Sequence, residues 1–118
     1  GQILYRTLLQ GSGLELWKTN GQTSGNEDLA APVEAVEVSV NGVRDDLIVE
    51  YQVYDEFTGW STWAADTETA GEIGESIYGL RARLDGQSDG CVLQYRVYTD
   101  GNGWMPWSNV NEISVLFP

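Results

Sequence analysis

Tyr51-Gln52-Val53-Tyr54-Asp55-Glu56-Phe57-Thr58-Gly59-Trp60-Ser61-Thr62-Trp63 decides the reading of this chain, because its pattern occurs three times. The other copies run from Tyr5 to Trp17 and from Tyr95 to Trp107, without a gap. Each has Tyr at the start, Gly eight residues on (Gly13, Gly59, Gly103) and Trp twelve residues on. Position nine is Leu14, Trp60 and Trp104. Rare residue types held in register three times mark an internal repeat.

Every copy opens with aromatic and β-branched residues that suit a pleated strand, meets a turn rich in Gly and Asn, and returns through an apolar run. Each therefore reads as a β-hairpin. With the Tyr as position zero and the turn centred near position six, position three faces position nine across the strands. That pairs Leu8 with Leu14, Tyr54 with Trp60 and Tyr98 with Trp104. Both members change together, aliphatic in the first copy and aromatic in the others, as cross-strand contacts require. The same register places position zero opposite position twelve. Tyr5/Trp17, Tyr51/Trp63 and Tyr95/Trp107 are then expected on the opposite face, filling the core. A bulge in the turn would break this register.

Composition bounds the rest. The 118 residues are enough for one domain with one sizeable core. Eighteen acidic against six basic residues leave a net charge of −12, which disfavours nucleic acid and anionic membrane surfaces. No apolar run approaches the ~18 residues of a spanning helix, so no membrane insertion is expected. No signal-peptide pattern is present. Gly1 reads as a scar of tag removal, which would put a leader outside the sequence. Cys91 is the single cysteine, so no disulfide can form within the chain.

Taken in order, the first hairpin spans residues 2–19 and a polar loop follows. Val33 to Val40 reads as a third strand, with Val36, Val38 and Val40 on one face. Asn41-Gly42 is a turn signal. The second unit repeats this plan, with Ile77 to Leu84 as its third strand and Leu80, Ala82 and Leu84 on one face. Asp85-Gly86 turns the chain. The third unit is cut short and ends in a strand over Ile113 to Phe117. No helical periodicity persists. The expected fold is all-β, a single domain of three repeats over about 2–42, 47–86 and 91–118. The expected arrangement closes three hairpin-plus-strand units around a pseudo-threefold axis, as a β-prism or trefoil-like form. A β-sandwich is the alternative, and linear stacking applies if the chain is an excerpt of an array.

Gly59-Trp60-Ser61-Thr62-Trp63, then Ala70-Gly71-Glu72-Ile73-Gly74, then the alternating Leu80-Arg81-Ala82-Arg83-Leu84, resembles the clostridial hydrophobic W repeat. The third copy matches through Gly103-Trp104-Met105-Pro106-Trp107. The first keeps Gly13, Trp17 and Gly25 but has Leu14 for the first Trp, and Glu72 stands where the family has Thr. The resemblance implies a secreted or surface-attached protein of Gram-positive bacteria. It also implies a non-catalytic module that binds cell wall, carbohydrate or protein.

The chain has no His, which excludes Ser–His and Cys–His nucleophile pairs and His-bearing zinc sites. Carboxylate pairs are too easily drawn among eighteen acids to signal glycosidase chemistry. Asp85 to Gly90, Asp45-Asp46 and Asp55-Glu56 supply carboxylates but no dense calcium loop. No phosphate-cradling motif is present, so no cofactor is expected. The chain is read as non-enzymatic. The candidate ligand-binding residues are Tyr54, Trp60, Tyr98 and Trp104, on the hairpin face away from the core. Gln52 and Arg96 share that face and offer hydrogen bonds. Aromatic platforms stack on the apolar faces of pyranose rings, so carbohydrate or cell-wall polymer is the preferred partner. Protein–protein contact or assembly through the same face is the alternative.

Overall fold

The computed structural model describes residues 2–25, 32–41, 47–85, 93–99 and 103–109. Cys91, the Gly86–Gly90 loop, Gly42, Asp45-Asp46 and the terminal run Ile113–Phe117 lie outside the described residues. The rest is all-β, with every strand pair antiparallel.

The first unit comprises β1 (Gln2–Leu9), β2 (Gly13–Leu14), β3 (Lys18–Thr19) and β4 (Val33–Asn41). The second comprises β5 (Ile48–Asp55), β6 (Gly59–Trp60), β7 (Ala64–Ala65), β8 (Ala70–Gly71) and β9 (Gly79–Asp85). The third has β10 (Gln94–Tyr95), β11 (Tyr98–Thr99), β12 (Gly103–Trp104) and β13 (Ser108–Asn109). In units one and two the opening strand lies between its own return arm and the third strand, β4 beside β1 and β9 beside β5. The glycine at position eight takes φ of +79°, +75° and +74° in the three turns, a conformation that carries a Cβ poorly.

The register near the turn is the expected one. Leu8 faces Leu14, Tyr54 faces Trp60 and Tyr98 faces Trp104. Further from the turn the expectation fails, in the same way three times. Tyr5, Tyr51 and Tyr95 face Lys18, Ala64 and Ser108, at position thirteen instead of twelve. The return arm leaves the strand for three residues, after position ten has donated its N–H to position two. These bonds are Glu15 to Thr7 at 3.0 Å, Ser61 to Val53 at 2.8 Å and Met105 to Val97 at 2.9 Å. One extra residue moves every later side chain to the opposite face. Trp17, Trp63 and Trp107 therefore leave the core and join the face of positions three and nine.

The core forms without them. Val49, Tyr51 and Val53 are its deepest side chains, and Ala64, Ala70, Ala82, Val36 and Leu93 complete the cluster. All three units contribute to it. The joint between units one and two is a strand pairing. Ala70-Gly71 of β8 pairs with Val36 and Ala35 of β4, flanked by bonds from Thr67 N–H to the Val38 carbonyl (2.8 Å) and from Ile77 N–H to the Val33 carbonyl (2.9 Å). A Cβ on Gly71 would meet the Glu34 carbonyl oxygen at 2.3 Å, so only glycine fits there. The Thr69 hydroxyl donates to Glu37 across the same joint at 2.6 Å.

Candidate functional site

The bulge has a chemical consequence. Positions nine and twelve now stand on one face of each hairpin, as Leu14 and Trp17, Trp60 and Trp63, and Trp104 and Trp107, and Arg side chains stack against the indole rings. All five tryptophans of the chain take part. Arg6 lies 4.4 Å from the Trp17 ring centre. Arg81 lies 4.3 Å from Trp60 and 5.5 Å from Trp63, and Arg83 lies 3.9 Å from Trp63. Arg96 bridges Trp104 and Trp107 at 4.6 and 4.4 Å. A guanidinium over an indole face gains from the ring quadrupole, about 0.5–1 kcal/mol where solvent reaches it.

In units one and three the Arg comes from position one, as Arg6 and Arg96. In unit two position one is Gln52, and Arg81 of β9 supplies the guanidinium from directly across the strands. The Arg81 Nε–H donates to the Gln52 side-chain oxygen Oε1, and the Gln52 Nε2 donates to the Ser61 backbone carbonyl at 2.6 Å. Gln52 is only 5% exposed. Its expected part in ligand contact is thus corrected: both ends of its amide are already bonded, and it holds Arg81 between the two rings.

Position three closes the face on its inner side. Tyr54 meets Trp60 edge-on at 5.5 Å and 68°, and Tyr98 meets Trp104 at 5.6 Å and 73°. In unit two these rings are partly covered, and Trp60 borders a groove of about 390 Å³ lined also by Trp63, Asp55, Thr58, Ser61 and Glu72. In unit three they are open. Tyr98 is 43%, Trp104 36% and Trp107 52% exposed, and Arg96 is exposed with them. The expected residues Tyr54 and Trp60 thus share one patch, and Tyr98, Trp104 and Arg96 share another. Trp63, Trp107, Arg81 and Arg83 also belong to this surface and were not anticipated. The three-residue spacing of the tryptophans, odd for a regular strand, was the signal for the bulge.

Burial and hydrogen bonding set the acids around unit two. Burial alone would raise the Glu37 carboxyl, but Thr69 and Arg6 outweigh it and hold it below the usual range. Asp55 is also buried, yet the Thr58 hydroxyl and the Thr58 and Phe57 N–H groups bring it below the usual range. Glu75 is pushed the other way, by desolvation and by Asp55 beside it, and its Oε2 is buried with no hydrogen-bond partner.

Among the described residues no helix is long and apolar enough to cross a membrane. No protein family, curated protein or solved structure matches this chain.

Proposed function

We propose that this chain is a non-catalytic binding module of a secreted or cell-surface bacterial protein. It takes carbohydrate or cell-wall polymer on the indole faces of units two and three. One observation carries the reading: Tyr98, Trp104 and Trp107 are exposed together on one side of a hairpin, around a single guanidinium. Flat rings with polar groups at their rim suit pyranose sugars, whose own faces are apolar and whose edges are hydroxyls. The groove of unit two adds hydroxyls and carboxylates beside Trp60 and Trp63. Two such patches on one chain gain by avidity on a polymer. The resemblance to hydrophobic W repeats supports the same class of role.

Retention on insoluble polysaccharide and on purified Gram-positive cell wall tests this. The Trp104→Ala/Trp107→Ala variant should elute freely while its Tm falls by less than about 5 °C. Full retention of that variant would remove unit three from the site. No retention of the wild type on either material would end the carbohydrate reading.

Unit one favours protein contact instead. Leu14, Leu16 and Trp17 are exposed together there, and its platform is aliphatic. Dimerisation in light scattering that Leu16→Asp abolishes would favour that use of the chain. Pseudo-threefold closure belongs to the same proposal. All three units reach one core, which supports it, and closure needs the joint of β8 on β4 three times, where the described residues show it once.

A further inference from the structure

The four arginines stacked on tryptophan differ in one respect. Arg6 donates from Nε to Glu37 Oε1 at 2.7 Å while lying over Trp17. Arg83 donates from Nε to Glu50 Oε1 at 2.9 Å while lying over Trp63. Arg81, between Trp60 and Trp63, donates from Nε to the Gln52 side-chain oxygen Oε1. Arg96 has the most open setting, between Trp104 and Trp107, and no oxygen acceptor among the described residues meets its guanidinium. Its fork is held by the two rings, and among the described residues no oxygen takes up its donors. Such a guanidinium binds a planar carboxylate with little further ordering.

We propose that Arg96 is the receptor for a carboxylate on the ligand, and that the module selects a glycan bearing an acidic sugar. This rests on the carbohydrate reading above. The chain itself shows the recognition twice, since Glu37 on Arg6 and Glu50 on Arg83 each seat a carboxylate on an Arg stacked against an indole. The ligand's carboxylate takes the corresponding place on Arg96, and its ring lies against Trp104 or Trp107. The net charge of −12 narrows the ligand further. A densely anionic polymer meets repulsion from the whole molecule, whereas for an isolated carboxylate in a neutral chain the acids farther off than a screening length of ~8–10 Å are damped and the adjoining Arg96 dominates. The selected ligand is therefore a neutral glycan with sparse uronic or carboxyalkyl sugars. Unit two has no equivalent, because Arg81 and Arg83 already hold protein oxygens.

A panel of immobilised oligosaccharides in matched pairs tests this, with glucose against glucuronate, galactose against galacturonate, and N-acetylglucosamine against N-acetylmuramic acid. The wild type should prefer the carboxylated member of at least one pair by about tenfold, the scale of one charge-assisted hydrogen-bonded contact. Arg96→Gln should bring the two members of that pair to within about twofold of each other, whatever the change in the affinity they share. Arg96→Lys, which keeps charge but loses the fork, should fall between. Thermal melting of each variant checks that the fold is intact. Neutral members that bind as well as acidic ones in every pair overturn the inference and leave the carbohydrate reading standing. So does a carboxylate preference that survives Arg96→Gln. Absence of binding to every glycan and to cell wall overturns both.

Discussion

Tyr5 and Tyr51 hold the same place in the repeat, and each hydroxyl donates to a carbonyl seventeen residues on, at Gln22 and Glu68. Yet Tyr51 is fully buried and Tyr5 only partly. Burial pushes the Tyr51 hydroxyl up to about 12, and Tyr5 shows a rise from the same cause. The surroundings differ in step. Val53, Ala64 and Ala70 in unit two stand where unit one has Thr7, Lys18 and Ser24, and the Thr7 and Ser24 hydroxyls hydrogen-bond each other at 3.0 Å. Unit two presents an apolar front because β4 of unit one covers it, with Val36 and Val38 in the shared core. Unit one presents polar groups in the same places. The local fold of a unit is thus intrinsic to the repeat, whereas the burial of its front depends on a neighbour.

The two tyrosines give the largest test. Tyr51→Ala should cost about 3–5 kcal/mol in chemical denaturation, the range of buried aromatic truncations. Tyr5→Ala should cost less than half of that. Equal losses would mean that both fronts are packed alike and would remove the distinction between the units.

The matched glycines come next. Gly71 and Gly25 take φ of +109° and +106°. A Cβ at Gly25 would meet nothing closer than 3.8 Å, against 2.3 Å to backbone at Gly71. Gly25→Ala should therefore cost about 1–2 kcal/mol from its dihedral alone. Gly71→Ala should add about 1–3 kcal/mol of steric displacement and loosen β8 from β4, seen as faster amide exchange at Thr67 and Ile77. Similar costs for both would sink the assignment of β8 as the joint.

A smaller effect sharpens the same region by pH. The Asp55 carboxyl is lowered in the folded state, so its contribution is present above its unfolded pKa and lost as pH falls through the folded one. Glu75 is raised, so its contribution is present below its unfolded pKa and lost as pH rises through the folded one. Ionised Glu75 beside Asp55 is the unfavourable partner at neutral pH. The Tm of Glu75→Gln minus that of the wild type should grow from about pH 4 to about pH 7, across the carboxylate range. A difference independent of pH would show that the two carboxyls do not sense each other.

The hairpins, their turns and the Leu8/Leu14, Tyr54/Trp60 and Tyr98/Trp104 pairs were legible in the sequence. Each follows from local alternation, and from a glycine that a positive φ demands. Trp63 was misplaced for an equally local reason. Counting six residues back from the turn on each side is right for a regular hairpin and wrong by one residue beyond a bulge. That one residue exchanges a core tryptophan for a surface one and turns an expected core truncation at Trp63 into the loss of an Arg stack. Gln52 was misread because its partner Arg81 lies twenty-nine residues away, across a strand pairing. Trp107 and Arg96 could be brought together only when the register was known.

By itself the amino-acid sequence determined that the chain is all-β, that it is built on three related hairpins, and that aromatic residues oppose one another near each turn. Those features depend on period, turn chemistry and spacing within about a dozen residues. The tertiary structure alone decided which aromatic residues are buried and which guanidinium stacks on which indole. It also decided which glycine has no room for a side chain. Each depends on how the return arm bulges and on how one unit's loop meets the strand of another. A one-residue shift or a neighbouring strand reverses the face of a side chain without changing any letter around it.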